Sequence, residues 1–188
     1  MHIIETPRLR LRPFQPDDLD AYHRQIYSDP DVTRYLPGGK PRSRIATADV
    51  IAYFILLEQQ DGYSFAAALD RSTGELIGHC GLHRFNNGDV EIGYSFAVSR
   101  WGQGLATEAG RAVLRYGFET LGLDRIIALA MPPNLASQRV MQKLGMRHEG
   151  TTRTYYDTEL VLYTLARADF VPDETYYNLQ VDDDTSND

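Results

Sequence analysis

Cysteine is nearly absent from this chain, which has a single one, Cys80, in 188 residues. One thiol cannot form an intramolecular disulfide, and it cannot supply the thiolate cluster that holds a structural metal ion. Long apolar runs are missing too, because the longest lies within residues 50–57 and is far too short to span a membrane. The opening residues, MHIIETPRLRL, lack the apolar stretch of a signal peptide. We therefore expect a cytoplasmic protein that binds neither a membrane nor a metal.

Basic charge is also scarce, since 19 Lys and Arg residues face 26 Asp and Glu residues and the formal net charge is −7. Six acidic residues and no basic ones follow Val171, and removing these six negative charges from −7 leaves −1 for residues 1–171. A nearly neutral folded part lacks the basic surface that nucleic-acid binding requires. We expect one domain over residues 1–171, followed by an acidic tail over residues 172–188 that packs little.

The stretch most informative about function covers residues 89–121. Its first ten residues alternate apolar and smaller or polar side chains, which predicts a strand. A small-residue turn, WGQGLA, follows, and apolar side chains then recur at spacings of three and four, as in a helix. A glycine loop between a strand and a helix directs backbone N–H groups and the positive end of the helix dipole toward one open position. We expect a phosphate or pyrophosphate group to bind there.

The loop also fits two other interpretations. Gly102 and Gly104 follow a strand and open a helix, as in a dinucleotide-binding fold, and Asp124 lies twenty residues further on. However, Thr107 occupies the position of the third glycine or alanine, and Asp124 precedes the next strand instead of ending it. A purely structural turn is the remaining alternative.

The remaining pattern predicts an α+β fold with a mixed, largely antiparallel sheet flanked by helices. Strands are predicted at residues 8–14, 63–70, 75–84, 89–98 and 124–131, with a final hairpin at 148–156 and 160–168. Helices are predicted at residues 16–28, 45–60 and 134–144, in addition to the one after the glycine loop.

The loop sequence WGQGLATEA resembles the acyl-CoA pyrophosphate loop of the GCN5-related N-acetyltransferases (GNAT), and in particular the branch that acetylates the N-termini of ribosomal proteins. The general family pattern has Gln or Arg, two residues, Gly, one residue, and Gly or Ala. Gly104 and Ala106 fit it, whereas Trp101 stands at the Gln/Arg position. The opening TPRLRLRPF is also typical of this branch. The resemblance implies a pyrophosphate site at Gly102, Gln103, Gly104, Leu105, Ala106 and Thr107.

A second family signature follows about thirty residues later, where Asn134 and Ser137 precede a helix that ends in KLGM. Taken alone, this segment would indicate only an N-capped helix. The resemblance implies that Asn134 hydrogen-bonds the pantetheine arm and that Ser137 lies near the thioester sulfur. Many relatives have a tyrosine one turn further along as the acid for the leaving thiolate, but this chain has Met141 there. Ser137 is therefore the candidate.

Direct acyl transfer to an amine requires a polarised carbonyl and a neutral nucleophile. Backbone N–H groups of Phe96, Ala97 and Val98, near the end of the central strand, are the candidates for polarising the carbonyl. Glu91 and Glu108 are the candidate bases. Glu91 lies on the strand face where relatives place a catalytic or water-relaying carboxylate, whereas Glu108, in the first turns of the helix, is also a dipole partner.

Two histidines and three aromatic residues have both a functional and a structural interpretation. His79 and His83 share a strand face but lie about 13 Å apart, too far to bind one metal ion. We expect both on the surface of the sheet. Tyr155 and Tyr156 are expected as core and rim aromatics, in a region where relatives line the acceptor site, and Trp101 is expected to anchor the loop by packing.

The resemblance implies an enzyme that moves the acetyl group of acetyl-CoA to a primary amine, by direct transfer in a ternary complex. The acceptor would be a protein N-terminus or a small molecule, and the protein a monomer or homodimer. The alternative is a non-catalytic module that binds acyl-CoA for regulation or assembly. The sequence of loops that would contact the acceptor, such as residues 34–44, does not identify the acceptor.

Overall fold

The computed structural model describes residues 2–175 and 177–181. Within these residues nine strands form one sheet in the order β7-β8-β6-β5-β4-β3-β2-β1-β9. The strands, β1 to β9 in chain order, are His2–Glu5, Leu9–Arg12, Phe65–Asp70, Leu76–Arg84, Val90–Phe96, Arg125–Ala130, Arg147–Thr152, Leu160–Ala166 and Asn178–Val181. All neighbouring pairs are antiparallel except β5 and β6, so the predicted mixed, largely antiparallel sheet is confirmed.

The helices lie on both faces of the sheet. They are α1 (Leu19–Tyr22), α2 (Pro30–Thr33), α3 (Arg44–Asp61), α4 (Leu105–Arg115) and α5 (Leu135–Lys143). On one face, Val113 of α4 and Met141 of α5 belong to the same buried cluster as Ile92 of β5. On the other face, Tyr22 of α1 and Phe54 of α3 are buried together with Ala67 of β3.

Local sequence signals explain the helix boundaries. The Ser43 hydroxyl accepts from the Ala46 N–H at 3.2 Å at the start of α3, and Gly62, with φ of 77°, ends it. The predicted helix 16–28 is less regular: a 3-10 turn and α1 lead into a π-helical turn over His23–Tyr27. The wider turn brings Ile26 and Tyr27 onto the same buried side as Tyr22.

The sheet opens between β5 and β6. Within the described residues these parallel strands share one register pair, Glu91 with Ile127, although each strand continues for several residues beyond it. On their outer edges, β5 pairs with β4 over seven positions and β6 pairs with β8 over six. The opening therefore lies inside the sheet, with a free backbone edge on each side.

The C-terminal segment corrects the expectation of a tail that packs little. Leu179 pairs with Ile4 where β9 adds to β1, and Asp173 forms an ion pair with Arg111 of α4 at 2.9 Å. The Arg115 guanidinium lies 4.7 Å from the centre of the Tyr177 ring. The prediction was wrong for this part of the segment, because an added strand needs the free backbone edge of β1 more than apolar side chains. Residues 182–188 lie outside the described residues.

Two further differences concern the ends of the sheet. The strand β1 was not predicted, and the strand predicted at residues 148–156 already ends at Thr152. The residues after it form a loop in which Tyr156 and Asp157 have φ of 55° and 50°. Among the described helices none is long and apolar enough to cross a membrane.

Candidate active site

The backbone of β5 lines the opening in the sheet. The Ala97 N–H donates to Ile77 O at 2.9 Å, and hydrogen-bonded positions alternate along an antiparallel pair. The backbone groups of Tyr94 and Phe96 therefore point away from β4, toward β6. Of the three predicted amides, Phe96 faces the opening, and Val98 begins a 3-10 turn that leaves its N–H without a partner inside the turn. The prediction for Ala97 was wrong, because its N–H belongs to the β4 pairing.

The glycine loop has the conformation of an anion site. Gly102 and Gly104 have φ of 74° and 80°, in the left-handed region that favours glycine, and Gly104 is the N-cap of α4. A Cβ atom on Gly102 would meet no described heavy atom within 4 Å, and one on Gly104 would meet only Arg8 Nη2 at 3.7 Å. Within α4 the first N–H groups, of residues 105–107, have no intrahelical partner.

Arg8 and Glu108 hold this loop against the start of the chain. The Arg8 Nη1 group donates to the carbonyl of Gln103 at 2.9 Å, and its Nε group lies 2.7 Å from Glu108 Oε2. The other carboxylate oxygen, Oε1, accepts from the Thr6 hydroxyl at 2.6 Å and from the Arg8 N–H at 2.9 Å. Both oxygens of Glu108 are thus occupied by donors, so its geometry is that of a structural anchor and not of a free base.

Trp101 and Gln103 also stabilise the loop, but through hydrogen bonds. The Trp101 indole N–H donates to the carbonyl of Phe96 at 2.7 Å, while the residue as a whole is 44% exposed. The Gln103 side chain donates to the carbonyl of Ser99 at 3.0 Å. Anchoring by Trp101 therefore depends more on this hydrogen bond than on the packing that we expected.

Glu91 lies on the opposite face of β5 from Val90 and Ile92, as its position in the alternation predicts. Its residue is only 6% exposed, and burial raises the pKa of its carboxyl group to about 7. The Tyr156 hydroxyl donates to Glu91 Oε2 at 2.6 Å, which opposes the increase in pKa by favouring the carboxylate. A carboxyl group that is partly ionised near neutral pH is well suited to accept a proton from an amine.

Tyr156 reaches Glu91 because two consecutive residues adopt the left-handed conformation. A non-glycine residue in that region typically raises the energy by roughly 1–3 kcal/mol, and such residues cluster at functional sites. Tyr156 is 40% exposed at the rim, whereas Tyr155 is buried and donates to Asp89 Oδ2 at 2.6 Å. The expectation of one core and one rim aromatic is confirmed. The alternation of apolar and polar residues in the strands did not predict the contact of Tyr156 with Glu91.

The two histidines occupy different environments. His79 is 5% exposed, its Nδ1 atom lies 2.9 Å from the Tyr22 hydroxyl, and burial lowers its pKa to about 4. The prediction of a surface position was therefore wrong for His79, because α1 covers this part of the sheet. His83 pairs across the strands with Glu91, and its Nδ1 atom lies 3.9 Å from Glu91 Oε2. In the described residues no group of three or more His, Cys, Asp or Glu could hold a metal ion.

Ser137 and Tyr94 meet on the other face of the sheet. The Tyr94 hydroxyl donates to the carbonyl of Ser137 at 3.0 Å, and its oxygen lies 3.1 Å from the Ser137 hydroxyl oxygen. Asn134 caps α5 as predicted, since its Oδ1 atom accepts from the Ser137 N–H at 3.2 Å. Met141 is fully buried in the core. Tyr94 was missed as a functional candidate because it continues the apolar row of β5.

The comparisons with known proteins agree with this arrangement. The sequence profile described as "Acetyltransferase (GNAT) domain" matches residues 8–147. The chain belongs to the GNAT acetyltransferases. YkkB from Bacillus subtilis, which is uncharacterised, is 38% identical over 153 residues, covering 80% of this chain and 88% of that protein. The uncharacterised N-acetyltransferase p20 from Bacillus licheniformis is 34% identical over 158 residues, covering 82% and 88%.

A solved structure and one further relative support the assignment. The crystal structure of a GNAT-family acetyltransferase from Bacillus anthracis has a TM-score of 0.76 at 31% identity, covering 88% of this chain and 99% of that one. YdaF from Bacillus subtilis, provisionally named a ribosomal N-acetyltransferase, is 37% identical over 82 residues, 43% of this chain and 45% of that protein. The predicted family resemblance is confirmed, and the chain is an acetyltransferase of a family that uses acetyl-CoA.

Proposed function

We propose that this GNAT acetyltransferase moves the acetyl group of acetyl-CoA directly to a primary amine while both substrates are bound. The observation that carries the proposal is the opening between β5 and β6. Glu91 lies where the two strands still pair, Ser137 is hydrogen-bonded to Tyr94 of β5, and the glycine loop follows the end of β5. A base, a hydroxyl pair and an anion site therefore border the same break in the sheet.

The acetyl-CoA part of the proposal is supported by the loop and by the free edge of β5. The pyrophosphate carries negative charge, which fits the N-terminus of α4 and the guanidinium of Arg8 beside Gly104. An amide group of pantetheine can pair with the backbone of Tyr94 as an added strand would. The amide nitrogen of Asn134 donates to the same arm, since only its oxygen is needed to cap α5.

The transfer step is supported by groups on both faces of the sheet. Glu91 accepts a proton from the amine, whose nitrogen attacks the thioester carbonyl. The Phe96 N–H stabilises the negative charge that develops on the carbonyl oxygen. As the C–S bond breaks, the Ser137 hydroxyl, oriented by Tyr94, donates a hydrogen bond to the departing sulfur. Glu108 has a positioning role in this mechanism because both of its carboxylate oxygens bind the segment around Arg8.

The acceptor is proposed as a primary amine of a protein N-terminus or of a small molecule. The name of YdaF supports a protein acceptor. The chemistry also favours an α-amine, whose pKa is about 8 and which is partly neutral at pH 7, whereas a lysine amine has a pKa of about 10.4.

The test is release of free CoA thiol from acetyl-CoA with a panel of acceptors: peptides beginning with Ala or Ser, a lysine peptide with a blocked N-terminus, spermidine and 2-phenylethylamine. We expect amine-dependent release and an N-acetylated product identified by mass spectrometry. Initial rates with both substrates varied should give intersecting reciprocal plots. Parallel plots, or an acetylated protein intermediate, would contradict direct transfer, and release without an amine product would contradict the amine acceptor.

A further inference from the structure

His83 has an unused nitrogen inside the candidate active site. Among the buried side-chain atoms of the described residues, its Nδ1 atom is one of three without a hydrogen-bond partner. A buried polar atom without a partner is unfavourable, so we expect a ligand atom to pair with it. The atom lies 3.9 Å from Glu91 Oε2, which is too long for a direct hydrogen bond.

The ring of His83 is held in place by aromatic neighbours. Phe85 lies edge-on at 4.7 Å and Phe65 lies at 5.8 Å between ring centres. The other ring nitrogen, Nε2, lies 3.3 Å from the hydroxyl of Tyr53 on α3, a residue that is 46% exposed. His83 therefore connects a buried carboxylate with a hydroxyl that reaches solvent.

The titratable groups around this histidine come from three elements. Glu91 faces it from β5, the Tyr53 hydroxyl faces it from α3, and Tyr156, from the loop after β7, binds the same carboxylate. Burial lowers the pKa of His83, and the carboxylate of Asp61 at the end of α3 acts in the opposite direction. A neutral imidazole that donates from Nε2 to Tyr53 has its lone pair on Nδ1, directed toward Glu91.

The site thus presents two proton acceptors, Nδ1 of His83 and Oε2 of Glu91, at a separation that one small donor with two hydrogens can bridge. An ammonium or amine nitrogen is such a donor. The chemistry requires two acceptors as well. An alkylammonium must lose one proton before it can attack a thioester and a second one when the amide forms, whereas Glu91 can hold only one at a time.

We propose that His83 is a second catalytic base, which takes the first proton of the acceptor ammonium and passes it to solvent through Tyr53. This inference depends on the proposed transfer to an amine. The ammonium proton moves to Nδ1, the proton on Nε2 moves to the Tyr53 oxygen, and Tyr53 releases its own proton to water. The neutral amine then forms the C–N bond, the C–S bond breaks, and the second proton goes to Glu91. That proton is transferred through water to the thiolate, so the net products are the acetamide, CoA thiol and one proton.

Two substitutions separate proton transfer from simple contact. His83→Asn retains a hydrogen-bond acceptor near the position of Nδ1 but cannot take a proton. His83→Phe keeps the ring among its aromatic neighbours and removes both nitrogens. Circular dichroism and calorimetric binding of acetyl-CoA are the controls for folding. A loss of folding in one variant leaves the other to test the proposal.

The two probe acceptors are spermidine and a peptide beginning with Ala. Acetylation of each is measured as a single-turnover rate from pH 6 to pH 9. At pH 7 an amine of pKa about 10.4 is almost entirely protonated, whereas about a tenth of an α-amine of pKa about 8 is neutral. We expect His83→Asn to slow acetylation of spermidine by about 100-fold at pH 7 and acetylation of the peptide much less. Both losses should diminish as the pH rises toward the pKa of the amine, because a neutral amine has no first proton to lose.

The outcomes distinguish this proposal from the proposed function. If the wild-type protein acetylates neither probe nor any other amine of the panel, the proposed function fails and this inference with it. If the wild-type protein acetylates a probe and His83→Asn has the same rate at every pH, the role of His83 is wrong while the function stands. A loss of equal size at all pH values would make His83 a positioning residue and overturn its role as a base.

Discussion

Glu91 is the residue where stability and activity conflict. Its pKa of about 7 means that the folded protein holds the carboxyl proton more tightly than the unfolded chain does, since the ordinary value is 4.5. The protein therefore becomes less stable as the pH rises from about 4.5 to about 7, over the same range in which the base becomes active. This opposition is typical of a functional site.

The first prediction concerns activity. Glu91→Gln should lower the single-turnover rate most above about pH 7, where the wild-type carboxylate is ionised and takes the proton that leaves the nitrogen as the amide forms. The two rates should converge at lower pH, where the wild-type carboxyl group already holds a proton. The wild-type rate should itself fall as the pH decreases through about 7, because Glu91 becomes protonated. Stopped-flow measurement of CoA release gives both profiles. A wild-type profile in the variant would exclude Glu91 from the mechanism.

The second prediction concerns the stability of the same variant. Glutamine cannot ionise, so Glu91→Gln should raise the free energy of unfolding at pH 8 by up to about 3 kcal/mol and change it little at pH 5. Urea denaturation at the two pH values measures the difference. Glu108→Gln is the matched control and should lower stability at both, because it weakens the ion pair with Arg8. Equal stability of wild type and Glu91→Gln at pH 8 would contradict the raised pKa.

The third prediction concerns the hydroxyl pair. Ser137→Ala should slow the chemical step by roughly 10- to 100-fold across the whole pH range, which corresponds to about 1.4–2.7 kcal/mol. Tyr94→Phe should have a smaller effect of the same kind, because Tyr94 orients Ser137 and does not itself face the sulfur in the proposed mechanism. Single-turnover rates are again the measurement. A loss confined to low pH would assign Ser137 to deprotonation of the amine instead.

Single residues were predictable where they followed a pattern. The alternation of β5 placed Glu91 on the correct face, and the cap signal identified Asn134. The contacts of Glu91 with Tyr156 and His83 depend on a loop in the left-handed conformation and on the register between two strands, neither of which alternation determines. Tyr94 was not identified because a tyrosine in an apolar row of a strand is expected to pack in the core, whether or not its hydroxyl has a function.

Among the elements, the glycine loop and α4 provide the most direct test. Gly104→Asp and Gly104→Asn introduce side chains of the same shape, and Asn and Asp both tolerate the left-handed conformation better than other residues. Only aspartate adds a negative charge where the pyrophosphate is proposed to bind. We expect the Asp variant to bind acetyl-CoA at least about tenfold more weakly than the Asn variant, or 1.4 kcal/mol. Equal affinities in calorimetry would remove the loop from the binding site.

The helices α3, α4 and α5 were predictable from local signals: the many apolar side chains of α3, the apolar stripe of α4, and the Asn134 cap of α5. The short strands β1 and β9 were not, since a four-residue strand at or next to the end of a sheet is defined by its partners and has little signal of its own. The irregular helix at residues 16–28 has a similar cause. The spacing of its apolar residues is compatible with an α-helix, but burying Tyr22, Ile26 and Tyr27 together requires the wider π-helical turn.

For the whole molecule, the C-terminal segment gives a matched pair of truncations. Deleting residues 182–188 leaves β9 and every described contact in place, so stability and turnover should be unchanged. Deleting residues 172–188 removes β9 and the ion pair of Asp173 with Arg111, and should reduce stability by about 1–3 kcal/mol. Thermal denaturation and CoA release compare the two. If the protein that lacks residues 172–188 is as stable as the full chain, this segment contributes nothing to the stability of the fold.

The opening between β5 and β6 divides the main-chain hydrogen bonding of the sheet into two groups of strands. Six strands, from β9 to β5, lie on one side and β6, β8 and β7 on the other, joined in the ladder at Glu91 and Ile127. Side-chain packing also links helices across this division, for example where Leu144, directly after α5, lies so close to Gly110 of α4 that an added Cβ would approach it to 2.8 Å. In the proposed binding mode, the pantetheine arm occupies the place of a missing strand. Part of its binding free energy is then the free energy of completing a sheet, and release of CoA reopens an edge inside the protein in every catalytic cycle.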